Sequence, residues 1–164
     1  EREALAVEPF RCFINPDDPS FELPGNLPKR VQKYCERTGQ TVPQTRGEIM
    51  RCIYESIALK YRYTFQAIRE ATGKAYETIH MIGGGTKDRL LCQMTADACN
   101  CPVIAGPIEA TAMGNIAVQL IALGEFSGLK EARAVIANSE QPKSYLPADP
   151  AAYDVAYARF QAVQ

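Results

Sequence analysis

Residues 78–105 restrict the possible folds of this chain more than any other stretch. Thr78-Ile79-His80-Met81-Ile82 is short and almost wholly apolar, the pattern of a parallel strand buried on both faces. It runs into Gly83-Gly84-Gly85, and then into a helical pattern from Lys87 to Ala98 with Leu90, Leu91 and Met94 inward. Pro102-Val103-Ile104-Ala105 is a second apolar run, closed by Gly106-Pro107. A strand, a helix and a strand in this order predict two parallel neighbours joined by a right-handed crossover. The fold class is therefore α/β, and helix-rich, because helical periodicity governs most of the rest.

Upstream, residues 1–26 are rich in proline and acid, and their strand-like run is Arg11-Cys12-Phe13-Ile14. They read as a loop-rich segment with a short edge strand near 11–14. Asn26 is a good N-cap for a helix that ends at Gly39, with Val31, Tyr34, Cys35 and Thr38 inward. Thr45 and Glu48 form a capping box. The helix after them keeps Ile49, Ile53, Ile57, Tyr61, Phe65 and Ile68 at three-to-four spacing as far as Gly73. Downstream, residues 109–123 are apolar on nearly every side, which predicts a helix packed around most of its circumference. A helix over 129–138 follows, with Ser127 as its cap, and a last one starts at Asp149-Pro150 with Tyr153, Ala156, Tyr157 and Phe160 on its apolar face.

Charge and composition exclude several classes. A formal net charge of −1 with no basic stripe argues against a nucleic-acid surface. No apolar stretch reaches the roughly 20 residues of a membrane span. The six cysteines read as reduced cytoplasmic thiols. Cys35, Cys52 and Cys92 sit in helical patterns as small hydrophobes, and Cys99-x-Cys101 lacks zinc-site spacing, so no metal cluster is expected. The chain opens on Glu1, which predicts further sequence upstream.

Gly83-Gly84-Gly85 is the strongest candidate for chemistry. The triplet permits positive φ and leaves no Cβ above the main chain, and the next helix offers free N–H groups. A phosphate or a flat ring could rest there; so could nothing, in a tight strand-to-helix turn. No Gly-Lys-Ser/Thr follows, and the spaced glycines of a dinucleotide fingerprint are missing. The small residues Ala110, Ala112 and Gly114 allow close approach of a ligand or a neighbouring backbone. His80 reads as a core histidine, and Asp88 as a first-turn acid favoured by the helix dipole. No catalytic constellation can be assembled.

The runs 79–88, 90–98 and 102–115, in this order, resemble the adenosine-binding segment of the FGGY family of carbohydrate kinases. Phe13-Ile14-Asn15-Pro16-Asp17-Asp18-Pro19, Leu23-Pro24-Gly25 and the 47–61 helix resemble the branch of that family that acts on L-rhamnulose. The resemblance covers residues 9 to about 130. It implies an actin-like (ribonuclease H-like) kinase of two lobes closing over ATP and sugar. The implied reaction moves the γ-phosphate of MgATP to the 1-hydroxyl of L-rhamnulose. It also implies that 27–164 is an incomplete C-terminal lobe cradling adenosine, with strands near 11–14, 78–82 and 102–105 in a short parallel sheet. Gly83, Gly84 and Gly85, chiefly Gly84, would touch the nucleotide, and Asp88 would flank adenine. Members commonly place Asn at the position of Asp88, and a carboxylate cannot donate to a ring nitrogen. The sugar site, the acidic phosphate loop, most Mg2+ ligands and the catalytic aspartate would belong to the N-terminal lobe, this chain's implied partner. The chain alone is then expected to be inactive, and to self-associate through its open sheet edge or its long helix. The alternatives are a kinase for another sugar or polyol of the family, or a non-catalytic interaction domain on the same fold.

Overall fold

The computed structural model describes residues 1–22, 24–139 and 141–164; Leu23, part of one motif above, lies outside the described residues. Among the described residues, seven α-helices and three short strands follow one another: α1 (Arg2–Leu5), α2 (Leu27–Arg37), α3 (Arg46–Thr72), β1 (Ile79–Met81), α4 (Arg89–Cys99), β2 (Val103–Ala105), α5 (Ala110–Ala122), α6 (Leu129–Ser139), β3 (Lys143–Tyr145) and α7 (Pro150–Gln161). The expected helix-rich α/β architecture is present.

β1 and β2 are parallel, with Ile79 opposite Val103 and Met81 opposite Ala105. The sheet is mixed, however. β3 joins the far side of β2 antiparallel, so the order is β1-β2-β3 and β1 is an edge. For that reason β1 is only half-buried and His80 is exposed, rather than buried on both faces as its composition predicts. α4 covers the other side of the crossover, where Cys92 and Ala96 pack on Val103 and Ala105.

α3 is the spine. Its capping box is formed, and Gly73 closes it in the left-handed region at φ 64°. The buried stripe is Ile49, Cys52, Glu55, Ser56 and Leu59; Tyr61 and Ile68 are exposed. The stripe is rotated from the predicted one because the helix has neighbours on more than one side. α1 lies so close to α3 that a Cβ on Gly47 would meet Glu3 O at 2.5 Å. α2 packs Val31, Tyr34 and Cys35 against Cys52 and Ile49. α4 and α7 meet α3 in the largest core, built from Phe13, Leu59, Met94, Tyr153, Tyr157 and Phe160.

The run 11–14 forms no strand and joins no sheet, which corrects the expected edge strand. Side chains take the place of a neighbouring strand. Phe10 N–H donates to Glu55 Oε2 at 2.9 Å, Phe13 N–H to Gln40 Oε1 at 2.8 Å and Ile14 N–H to Ser56 Oγ at 2.9 Å. Gln40 Nε2 donates back to Phe13 O, and Arg159 donates to the carbonyls of Phe10 and Arg11. These bonds satisfy the polar backbone groups of the buried segment, as burial requires.

α5 is a second correction. Of its residues only Ala117 is buried, while Ile116 and Val118 are 57% and 60% exposed and its C-cap Leu123 75%. Within the described residues α5 packs chiefly on α6. Its composition is that of a covered helix, and among the described residues nothing but α6 packs on it to any extent.

Candidate functional site

The glycine triplet lies at the carboxyl ends of the two parallel strands, the place where open α/β sheets receive ligands. Gly83 follows β1 with φ 84° and ψ −168°, a conformation that strains any side chain. Gly84 to Lys87 then form one 3-10 turn. Thr86 fastens this turn from beneath: it is buried, and its N–H and Oγ1 both donate to Gly83 O, at 3.1 and 2.7 Å. The loop after β2 is laced to it. Gly83 N–H donates to Pro107 O at 3.0 Å, and Gly106 N–H to Met81 O at 2.9 Å.

Gly84 and Gly85 are exposed, and a Cβ on either would meet no atom within 4 Å. The main chain here is a bare, rigid ledge. Packing does not require glycine at these two positions, because there is room for a side chain. Glycine there leaves the main chain accessible instead.

A cavity of about 710 Å³ opens over the sheet, between residues of β1 and β2 and α6, and reaches Gly106 and Pro107 of the loop laced to Gly83. His80, Ile82, Ile104, Pro107, Arg133 and Ile136 are among its walls. That volume falls within the range of small-molecule sites, about 300–1,000 Å³. The His80 and α6 contributions were not legible in the sequence: His80 reads as a core residue, and α6 carries no ligand motif.

Asp88 ends the turn and caps α4, with Oδ1 accepting from Leu91 N–H at 3.0 Å. Its Oδ2 accepts from the Tyr54 hydroxyl at 2.6 Å. Burial first, and Asp88 second, push the Tyr54 phenol up to about 12, so it stays a donor across the neutral range. Both oxygens of the carboxylate are thus engaged in holding the loop. Ala110, Ala112 and Gly114, the other sequence candidates, begin α5 on the chain leaving β2 and Gly106-Pro107.

The profile described as the FGGY family of carbohydrate kinases, C-terminal domain, matches residues 1–123. A rhamnulokinase of Bacteroides thetaiotaomicron is 46% identical over 159 residues, 97% of this chain and 33% of that protein. A rhamnulokinase of Bacillus subtilis is 44% identical over 147 residues, 90% of this chain and 30% of the relative. Among solved structures, xylulose kinase from Rhodospirillum rubrum superposes with a TM-score of 0.56 at 28% identity, over 76% of this chain and 25% of that one. The chain spans about a third of the length of the curated relatives it matches. No helix of the described residues is long and apolar enough to cross a membrane.

Proposed function

Because the chain belongs to the FGGY family of carbohydrate kinases, matching its C-terminal domain, we propose that it is the nucleotide-binding portion of a rhamnulokinase. The observation that carries this reading is the exposed main-chain ledge of Gly84 and Gly85 after β1, laced by hydrogen bonds to the loop after β2. Adenosine would lie on the ledge, with Gly83, Gly84 and Gly85 as its floor. Asp88 flanks the site as a positioning residue, holding the turn through Leu91 and Tyr54 rather than reading the base.

The whole protein would transfer the γ-phosphate of ATP to the 1-hydroxyl of L-rhamnulose. The hydroxyl oxygen forms a bond to phosphorus, the bond to the ADP oxygen breaks, and a base takes the hydroxyl proton. The base, the sugar site and the phosphate loop are assigned to the N-terminal lobe. Mg2+ is assigned there too. The Asp88 carboxylate next to the ledge accepts from the Tyr54 hydroxyl and Leu91 N–H.

Coupled assays with ATP and L-rhamnulose test this. The full-length protein should turn over and these 164 residues alone should not. A panel of ketoses and glycerol on the full-length protein decides the sugar; a preference for another substrate would move the assignment within the family. Failure of ADP to bind even with both lobes present would favour a non-catalytic interaction domain, for which the occupied Asp88 is the supporting feature.

A further inference from the structure

Three consecutive glycines should make a poor platform for a ligand. Glycine has the widest conformational freedom of any residue, so a Gly-Gly-Gly run left to itself samples many main-chain shapes. Ordering such a run when a ligand arrives costs binding free energy, and ordering it beforehand removes that cost. Gly83-Gly84-Gly85 is ordered beforehand, and the first residue after it to carry a side chain is Thr86. We propose that Thr86 is a positioning residue for the nucleotide: its hydroxyl fixes the main-chain shape on which adenosine rests, without touching adenosine itself. This role rests on the reading of Gly84 and Gly85 as the nucleotide ledge.

The bonds around Gly83 carry the assignment. Gly83 O accepts twice from the same residue, from Thr86 N–H at 3.1 Å and from Thr86 Oγ1 at 2.7 Å. Any residue but proline would supply the N–H, whereas the hydroxyl is what threonine adds. Gly83 N–H donates in turn to Pro107 O at 3.0 Å, so both polar main-chain groups of Gly83 are engaged with the protein. The peptide that joins Gly83 to Gly84 is trans, so with its C=O drawn down to Thr86 its N–H points the opposite way. The orientation of the first peptide of the ledge is thereby set from below.

Thr86 is itself well anchored. It is 7% exposed, and its carbonyl is the acceptor toward which Cys92 Sγ is directed at 3.9 Å. Asp88 N–H donates to Gly85 O at 3.1 Å, which closes the turn on the far side of Thr86. Gly84 and Gly85 are exposed while Thr86 is buried, so the threonine acts on a ligand only through the main chain above it.

The test compares Thr86→Val with Thr86→Ser in the full-length protein, by ADP calorimetry and by steady-state kinetics with ATP and sugar. Valine keeps the branched shape and removes only the hydroxyl. Gly83 O keeps the main-chain N–H of residue 86, so no buried acceptor is orphaned and the variant should fold. The ADP Kd and the KM for ATP should rise about 5- to 10-fold, the scale of one neutral hydrogen bond. The kcat and the KM for the sugar should stay within about 2-fold, because no group that meets the reacting atoms has changed. Thr86→Ser should bind ADP as the parent does, since it retains the hydroxyl; a role in filling space alone would not be rescued by the smaller side chain. A valine variant with the parent's ADP affinity overturns the positioning role and leaves the ledge standing. So does a serine variant that behaves like the valine one, or a sugar KM that rises as much as that for ATP. A parent that binds no ADP overturns the ledge, and the role of Thr86 with it. If Thr86→Val fails to fold, Thr86→Ala removes the same hydroxyl and is judged by the same readings.

Discussion

The Tyr54 hydroxyl donates to Asp88 Oδ2 at 2.6 Å, tying the middle of the longest helix to the turn that follows the glycine ledge. The bond joins residues 34 positions apart and fixes the first turn of α4 relative to α3. Tyr54→Phe removes only the donor. It should cost about 1.5–3 kcal/mol of stability, the scale of a hydrogen bond to a charged acceptor. ADP affinity of the full-length protein should fall modestly, because the turn is loosened rather than dismantled. Denaturant melts and calorimetry measure both; an unchanged melt would show that the bond holds nothing.

Neighbouring glycines should respond differently to the same substitution. At Gly84 a Cβ has open space around it and the backbone is not left-handed, so Gly84→Val should fold normally. The valine would stand on the ledge and should lower ADP affinity in the full-length protein at least 10-fold. Gly83→Val faces φ 84° and should cost stability, about 1 kcal/mol or more. Thermal melts beside ADP titrations separate the two. Equal nucleotide affinity in Gly84→Val and the parent would remove the ledge from the nucleotide site.

Glu55 gives the fold a pH dependence of known sign. Burial raises its carboxyl from the ordinary 4.5 to about 6, against the opposing pull of Arg51. Between these values the folded state binds more protons than the unfolded one. Its contribution is therefore complete below about pH 4.5 and is lost as pH rises through about 6, a change on the order of 2 kcal/mol. Glu55→Gln keeps an acceptor for Phe10 N–H and removes the titration. Across pH 4.5–7 the parent should lose stability relative to the variant by about that amount. Parallel curves in urea melts would contradict this.

The uncovered edge of β1 and the exposed apolar residues of α5 should make the chain self-associate when produced without its partner lobe. Light scattering should show a mass that rises with concentration. Val118→Asp and Leu123→Asp sit at exposed positions, so they should leave stability within about 0.5 kcal/mol while shifting the mass toward the monomer. A monomer at millimolar concentration, with or without them, would refute the expectation.

Local signals carried much of this fold. The Asn26 cap, the Thr45–Glu48 box and the Asp149-Pro150 start each place a helix within a residue or two, because a cap is chemistry between near neighbours. The glycine triplet was legible for the same reason. Partners remote in sequence were not. The 11–14 run carries strand composition, but Gln40, Ser56 and Arg159 supply its bonds, and no window around it contains them. β3 is three exposed or half-buried residues, Lys143-Ser144-Tyr145, with no apolar alternation to betray it. α5 was read as covered because it is apolar on nearly every side, yet among the described residues it packs chiefly on α6. The cysteines show the same limit: Cys12, Cys35 and Cys52, distant in sequence, are brought within 4.8 Å of one another only by tertiary packing.

Phe10 rests edge-on against Tyr153 and Phe13 against Phe160, while Tyr34 donates to the Val163 carbonyl. Residues 10–13 and α7 therefore close the same core from opposite directions along the chain. During synthesis the lid of that core leaves the ribosome after the helices it covers. Until α7 emerges, Phe13, Leu59 and Met94 have no ceiling, however well the earlier helices have formed. The family profile ends at residue 123, but a domain cut there would lack the piece that seals it. In a nascent chain this core is therefore completed only once residues 150–161 have emerged, rather than by gradual gain.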